Sequence, residues 1–244
     1  MKVAAIIQAR MGSTRLSGKV MKDILGKTVL SHVIERVRQS NFIEEIIIAT
    51  TVHERDSVIE KEAISSGAKV YRGSEDDVLS RYYLAAKENN IDIIVRITSD
   101  CPVIDPHVID EIVDIFIKGN HDIVTNAGSD LSKRTYPRGL DTEVFSFEVL
   151  ENAFTNGREE YHREHVTPYI YEHSHKIHYF KNDVNYSKYR WTLDTEEDFK
   201  LINEIYNRLY KGNHDFYLQE IIDIFKQEPK LFSINAHIEQ KKVN

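Results

Sequence analysis

Short apolar runs that alternate with amphipathic segments fill the first half of this 244-residue chain and limit how it can fold. Runs such as Ile46-Ile47-Ile48 place apolar residues at consecutive positions, which is typical of strands buried on both faces. The segments between them have helical spacing, and Asp105-Pro106 marks one helix start. We therefore expect an α/β fold with a mostly parallel sheet between two helical layers. The predicted strands are 2–8, 45–50, 69–71, 92–97 and 122–125, and the predicted helices are 28–39, 54–66, 76–89 and 106–118.

The alternation stops near residue 127. The stretch 131–190 is polar, aromatic and rich in histidine, so we expect a small insertion subdomain that forms walls of a substrate pocket and contributes to a homodimer contact. A strand over 189–193 and helices over 196–210 and 217–226 are predicted to complete a single domain, 1–244.

Composition restricts the classes of partner. With 41% apolar and 29% charged residues, the chain has an ordinary globular composition. Its net charge of −7 argues against a surface that wraps nucleic acid, so an anion site must be local. No apolar run resembles a signal peptide or approaches the roughly 20 residues that span a bilayer. We expect a cytoplasmic protein with neither a nucleic-acid nor a membrane partner.

A glycine- and serine-containing turn with three cations follows the first predicted strand. It reads Gln8-Ala9-Arg10-Met11-Gly12-Ser13-Thr14-Arg15-Leu16-Ser17-Gly18-Lys19. Backbone N–H groups in such a turn form a concave set of donors, and Arg10, Arg15 and Lys19 place positive charge around it. The pattern favours a polyphosphate, and a basic loop without a ligand is the alternative.

Two other nucleotide motifs are disfavoured. Gly26-Lys27-Thr28 lacks the earlier glycine of a P-loop, because Met21 stands at that position. The three spaced glycines of a dinucleotide-binding turn are missing as well. Kinase-type phosphate transfer and NAD chemistry both lose support.

Two aspartates follow predicted strands far apart in the chain, Asp100 after 92–97 and Asp194 after 189–193. Ligands of parallel sheets collect at the carboxyl ends of the strands, where the cationic turn also lies. Mg²⁺ keeps several waters and needs only one or two carboxylates. Each aspartate alone could instead cap a helix, and Asp194 before Thr195 suits that role. As a pair that faces one basic turn, they predict a magnesium site.

Blocks along most of the chain resemble the cytidylyltransferases that activate sugars for cell-surface polysaccharides. The similarity is greatest to the spore-coat SpsF-like branch, which is related to the acylneuraminate and 3-deoxy-manno-octulosonate enzymes. Besides residues 8–19, the blocks are 49–51, 71–82, 96–102, 137–145, 163–169 and 190–198. One departure is Ser17, where the family usually has proline; this removes neither a charge nor a donor.

The resemblance implies a three-layer, Rossmann-like nucleotidyltransferase fold of the GT-A-like type. It also implies a CTP-dependent enzyme that transfers CMP to a sugar, in particular a sugar acid, with release of pyrophosphate and with Mg²⁺ as cofactor. The implied catalytic residues are Arg15, Lys19 and Asp100, and the implied metal ligands are Asp100 and Asp194. The nucleotide would contact Gln8, Ala9, Arg10, Gly12, Ser13, Thr50, Arg72, Gly73 and Ser74. For Arg72, capping of a strand end is an equal alternative.

Sugar-binding residues are expected within 136–168. Arg138, Asp141 and Glu143 alternate along a predicted strand, so Asp141 and Glu143 should point the same way, toward sugar groups or toward solvent. Arg163 and His165 are candidates to bind a substrate carboxylate or phosphate.

Other reactive side chains have ordinary interpretations. His162 and His165 have helical spacing, but no cysteine or HExxH pattern accompanies them, which disfavours zinc. Cys101 has no base paired with it by a motif, so we predict a packing role. Asp77 and Arg81, four residues apart on a helix, are predicted to pair.

Two other functions stay open at this point. A nucleotide-sugar glycosyltransferase on the same scaffold would generally carry an Asp-x-Asp pair at a strand end, which Asp100-Cys101-Pro102 lacks. A non-catalytic nucleotide-binding partner would normally have lost the charged site residues, yet all of them are present here.

Overall fold

The computed structural model describes residues 1–239. The strands are β1 (Val3–Gln8), β2 (Asp23–Ile24), β3 (Lys27–Thr28), β4 (Glu45–Thr51), β5 (Lys69–Gly73), β6 (Ile93–Thr98), β7 (Ile123–Thr125), β8 (Glu143–Ser146) and β9 (Ile177–Tyr179). The helices are α1 (Val29–Val37), α2 (Ser57–Ser65), α3 (Val78–Glu88), α4 (Pro106–Lys118), α5 (Phe147–Asn156), α6 (Glu160–His165), α7 (Pro168–His173), α8 (Glu196–Leu209) and α9 (Leu218–Gln227).

A seven-stranded sheet with the order β5-β4-β1-β6-β8-β7-β9 forms the centre of the molecule. The pairs from β5 to β6 are parallel, as is β7 with β9, whereas β8 runs antiparallel to both of its neighbours. The sheet is therefore mostly parallel, as predicted. β2 and β3 form a separate antiparallel hairpin.

Alternate residues of β1 enter two different hydrophobic cores because successive side chains of a strand point to opposite faces. Ala5 and Ile7 pack with α1, α4 and α8, and Ala4 and Ile6 pack with α3 and α5. All four side chains are fully buried. The sheet thus lies between two helical layers, which confirms the predicted three-layer α/β class.

Local signals in the sequence position several helices correctly. Asp105 caps α4 by accepting a hydrogen bond from the His107 N–H, and Pro106 occupies the first helical turn. Among the described residues, no helix has both the length and the apolar character that crossing a membrane would require.

The segment 131–190 differs from the expected insertion, because it supplies β8 and β9 to the main sheet. The strand prediction over 189–193 is wrong. Within residues 1–239, the segment 189–193 forms an isolated bridge between Arg138 and Arg190 and no strand ladder. The partner backbone turns sharply at Gly139, which has φ +102° and packs against the Trp191 backbone. Asp141 likewise precedes β8 rather than lying on it.

Candidate active site

Lys19 lies between two aspartates that are distant in sequence. Its Nζ donates to Oδ2 of Asp100 at 2.8 Å and to Oδ1 of Asp194 at 2.7 Å. Asp100 follows β6 and Asp194 precedes α8, and the Leu193 N–H donates to the Asp100 carbonyl at 2.8 Å to join the two segments. The fold thus brings together the cationic turn and both predicted carboxylates, and we call these three residues the Lys19 cluster.

Mutual attraction keeps Lys19 and Asp100 charged. Burial alone would lower the pKa of Lys19, but the neighbouring Asp100 and Asp194 outweigh burial and raise it. Burial alone would raise the pKa of Asp100, but the Lys19 ammonium and a 2.5 Å hydrogen bond from the Thr98 hydroxyl hold it below its ordinary value. Lys19 and Asp100 are therefore both ionised at neutral pH.

Asp194 has two further cationic partners. Its Oδ2 lies 3.1 Å from an Arg15 nitrogen and 3.0 Å from an Arg190 nitrogen. Arg190 also binds Asp198 at 2.9 Å, which fixes its guanidinium. The cap of α8 is Thr195, in a capping box with Asp198, so Asp194 does not serve as the helix cap. This finding removes the main structural alternative for Asp194.

Asp56 fixes the turn over residues 9–18 from the protein interior. This buried carboxylate accepts the Met11 N–H at 2.8 Å, and the Gly18 N–H donates to the Met11 carbonyl at 3.3 Å. Across residues 1–239, the backbone N–H groups of Gly12, Thr14 and Arg15 have no acceptor. They are available to an anion.

A sequence model of the cytidylyltransferase family matches residues 4–237. The chain belongs to the cytidylyltransferase family. Uncharacterized protein MJ1063 of Methanocaldococcus jannaschii is 40% identical over 99% of this chain and 97% of its own length. Spore coat polysaccharide biosynthesis protein SpsF of Bacillus subtilis is 33% identical over 92% and 94%. A solved cytidylyltransferase structure from Leptospira borgpetersenii is 38% identical, covers 99% of this chain and 100% of its own, and superposes with a TM-score of 0.89. The protein is thus a CTP-dependent nucleotidyltransferase.

The cytidylyltransferase carries the predicted base-binding residues at the ends of β4 and β5. Arg72 donates to the carbonyls of Thr51 and His53 at 2.9 Å each, so it braces the end of β4. Thr50 is fully buried, and its Oγ1 has no partner among residues 1–239. The Ser74 hydroxyl accepts the Asp77 N–H and fixes the turn after Gly73.

Gln8 and Glu143 meet through Arg96, which is not among the predicted site residues. Arg96 forms an ion pair with Glu143 and donates to the Gln8 side chain at 3.2 Å. Glu143 also accepts hydrogen bonds from Thr167 at 3.1 Å and from Tyr171 at 2.5 Å. Protein donors therefore already use much of the hydrogen-bonding capacity of the Glu143 carboxylate. Ala9 is buried beside them, and its N–H donates to the Ala49 carbonyl.

Asp141 lies near the Lys19 cluster, and Arg138 lies near Asp141 and Arg190. Asp141 accepts two hydrogen bonds from the buried Arg134, at 2.7 and 2.9 Å, and it is close enough to Asp100 to influence its pKa. The half-buried Arg138 guanidinium makes no hydrogen bond or ion pair with any part of the chain that the structure describes. It is therefore free to receive an anionic group.

Arg163 lies away from these residues. It joins α6 to α3 through an ion pair with Asp77 at 2.7 Å and donates to the Phe154 carbonyl. The predicted Asp77–Arg81 pair is wrong, because Arg81 donates instead to the Ser74 carbonyl. His165 is partly exposed at the end of α6, 3.9 Å from Glu164.

Two further predictions concern His162 and Cys101. His162 is buried and contacts Glu172 at 2.8 Å, and its ring helps to cap α6. Cys101 is buried, and burial followed by the nearby Asp100 raises the pKa of its thiol well above the ordinary value. An inert packing role fits this position.

Enzymes of this family typically depend on a divalent metal, and the Lys19 cluster fits one. One ammonium contacts both carboxylates, so a single cation can reach both. Within residues 1–239, no three His, Cys, Asp or Glu side chains group to hold a metal. A two-carboxylate site suits Mg²⁺, which completes its shell with water and substrate phosphates.

Supporting residues were harder to find from the sequence than the charged residues that they hold. Arg190, Asp198 and Asn235 form a buried network behind Asp194, with Asn235 donating to Asp198 at 2.8 Å. The spacing of Arg190, Asp194 and Asp198 at intervals of four was the available signal. Asn235 and Asp56 had none, since only the tertiary fold brings Asn235 to Asp198 and Asp56 to the turn.

Proposed function

We propose that the cytidylyltransferase transfers CMP from CTP to a sugar acid and releases pyrophosphate, with Mg²⁺ as its metal. A sugar hydroxyl oxygen bonds to the α-phosphorus, the bond from that phosphorus to the bridging oxygen of the β-phosphate breaks, and the hydroxyl proton leaves to solvent. The observation that carries the proposal is the Lys19 cluster, which lies beside unpaired backbone donors.

Charge neutralisation and positioning are the main requirements of such a transfer. The N–H groups of Gly12 and Thr14, with Arg10 and Ser13, would bind the β- and γ-phosphates. Arg15 and Lys19 would offset charge that grows on the α-phosphate and on the leaving pyrophosphate. Arg190 would hold the Asp194 carboxylate in place through their ion pair.

Asp100 and Asp194 would hold the metal. When bound, Mg²⁺ would polarise phosphate oxygens as a Lewis acid. Lys19 can turn from the two carboxylates toward the phosphates because its side chain is long and flexible.

Substrate recognition divides between two regions. Thr50, Arg72, Gly73 and Ser74 would border the cytosine, as the motif resemblance implies. For the sugar acid, the unpaired Arg138 is the candidate cation, because guanidinium binds a carboxylate with two parallel hydrogen bonds. Asp141 would accept from a hydroxyl or amino group. Glu143, Arg163 and His165 would contribute to sugar binding only indirectly. Glu143 is already paired with Arg96, and Arg163 is paired with Asp77.

The biological setting is also proposed from the relatives. SpsF is named for spore coat polysaccharide biosynthesis, and we propose a role in making a cell-surface polysaccharide by a cytoplasmic homodimer. The segment 131–190 would contribute to the sugar pocket and to the dimer contact. Light scattering that shows a monomeric mass would contradict the dimer.

The test is to incubate the protein with each of the four nucleoside triphosphates, Mg²⁺ and a panel of eight- and nine-carbon sugar acids. We expect pyrophosphate release and the mass of a CMP-sugar with CTP, and neither product with the other three triphosphates. In a parallel incubation with a nucleotide-sugar, release of a nucleoside diphosphate would instead indicate a glycosyltransferase. CTP binding with no product across the panel would indicate a non-catalytic partner.

A further inference from the structure

Glu75 gathers three basic side chains at the end of the cationic turn opposite Lys19. Its carboxylate lies 2.5 and 2.6 Å from an Arg55 nitrogen, 2.8 Å from His53 Nε2 and 3.4 Å from an Arg10 nitrogen. The Glu75 side chain is 18% exposed, whereas those of Arg55 and His53 are about half exposed. A mostly enclosed carboxylate thus contacts three more exposed basic side chains.

The Glu75–Arg55 pair lies directly against Gly12. A Cβ at Gly12 would be 2.9 Å from Glu75 Oε1 and 2.9 Å from Arg55 Nη2. The unpaired N–H of Gly12 belongs to the same turn, and Arg10 is one of its predicted phosphate ligands. A protein carboxylate therefore lies next to the donors that a phosphate would use.

We propose that Glu75 is an internal anion that competes with the triphosphate for Arg10, Arg55 and His53. On this account, which rests on the proposed function, Arg55 and His53 are additional triphosphate ligands. Glu75 holds them over Gly12 until CTP binds, and then it yields them to the phosphates.

Charge and mobility favour the exchange. A triphosphate carries several negative charges and many acceptor oxygens, whereas Glu75 carries one charge and two oxygens. Arg55 and His53 can change partners at small cost, because their own side chains are about half exposed and water screens much of each contact with Glu75. The backbone near Glu75 can stay in place, since Arg81 donates to the Ser74 carbonyl at 2.9 Å and holds the turn from below.

The experiment measures binding of CTP, pyrophosphate and cytidine by calorimetry at fixed salt, with Mg²⁺ present. Glu75→Gln keeps the shape and removes the charge, and it should tighten CTP and pyrophosphate binding by roughly 3- to 10-fold. Arg55→Ala should weaken both by a similar factor. Cytidine, which has no phosphate, should bind all variants equally. Asp114→Asn, in the exposed Lys118–Asp114 pair on α4, is the matched control and should change nothing.

The outcomes separate this inference from the proposed function. A wild-type protein that does not bind CTP would contradict the function itself. If the wild type binds CTP and Glu75→Gln binds it equally or more weakly, Glu75 braces the turn and the inference fails. Tighter cytidine binding by Glu75→Gln would also overturn it. Unchanged pyrophosphate binding by Arg55→Ala would do the same, and that variant decides the matter if Glu75→Gln does not fold.

Discussion

Replacement of Lys19 by methionine tests the Lys19 cluster most directly. Lys19→Met keeps the length of the side chain and removes the ammonium, so the 2.7 and 2.8 Å contacts to Asp194 and Asp100 are lost. The two carboxylates are 8% and 21% exposed, and water can offset little of the lost attraction. Breaking a buried charge pair costs about 3 kcal/mol. For a protein of this size, that corresponds to a fall in Tm of roughly 6–12 °C.

The same change should reduce catalysis. Loss of one donor aimed at developing charge lowers kcat by about 10²-fold or more. The assay is pyrophosphate release at saturating CTP, and thermal unfolding gives the Tm. Lys118→Met is the control, because Lys118 pairs with Asp114 on an exposed helix face and should shift neither quantity. A Lys19→Met enzyme with a kcat within threefold of the wild type would refute the role that we assign to Lys19.

Two further predictions concern stability. Burial, followed by the nearby Arg36, lowers the pKa of His214 to about 3, below its ordinary value of 6.5. The unfolded chain therefore binds a proton that the fold excludes, and the free energy of unfolding should fall by up to about 1.4 kcal/mol per pH unit below pH 6.5. Urea unfolding between pH 6.5 and 5 should show a smaller slope in His214→Gln, and an equal slope would contradict this origin. Gly139→Ala should cost about 3 kcal/mol, because φ is +102° and the new Cβ would lie 2.5 Å from the Trp191 backbone. Gly26→Ala, with φ +85° and open space around it, is the control, and equal losses of Tm would show that the close contact is unimportant.

The sequence was sufficient to predict that the charged groups meet. Buried strands alternating with helices require a parallel sheet, and the carboxyl ends of parallel strands share one edge. Gln8 ends β1, Thr98 ends β6, and these two residues are paired in the sheet. The turn that carries Lys19 and the loop that carries Asp100 must therefore begin side by side.

Other parts depend on contacts that no local pattern reveals. β8 enters the sheet between β6 and β7 in the antiparallel direction, although its residues lie in a polar, aromatic stretch. The composition of the run from Tyr189 to Leu193 is typical of a strand. The neighbouring backbone pairs with it in one bridge at Arg138 and then changes direction at Gly139, where φ is positive, so no ladder forms. Asp77 pairs with Arg163, which lies 86 residues later in the chain, and not with the nearby Arg81.

The two ends of the cationic turn differ in a way that assigns them different tasks. The Lys19 side chain is 13% exposed and contacts two enclosed carboxylates, so its ammonium stays beside the proposed metal site even when it turns toward the phosphates. Arg10 and Arg55 are 43% and 52% exposed and share the single carboxylate of Glu75, so they can follow a ligand as it binds. Charge confined beside the reacting phosphate contributes most where the transition state differs from the bound substrate, whereas charge on the exposed side of the ligand contributes to both equally. Changes at Lys19 should therefore appear mainly in kcat, and changes at Glu75 mainly in the KM for CTP.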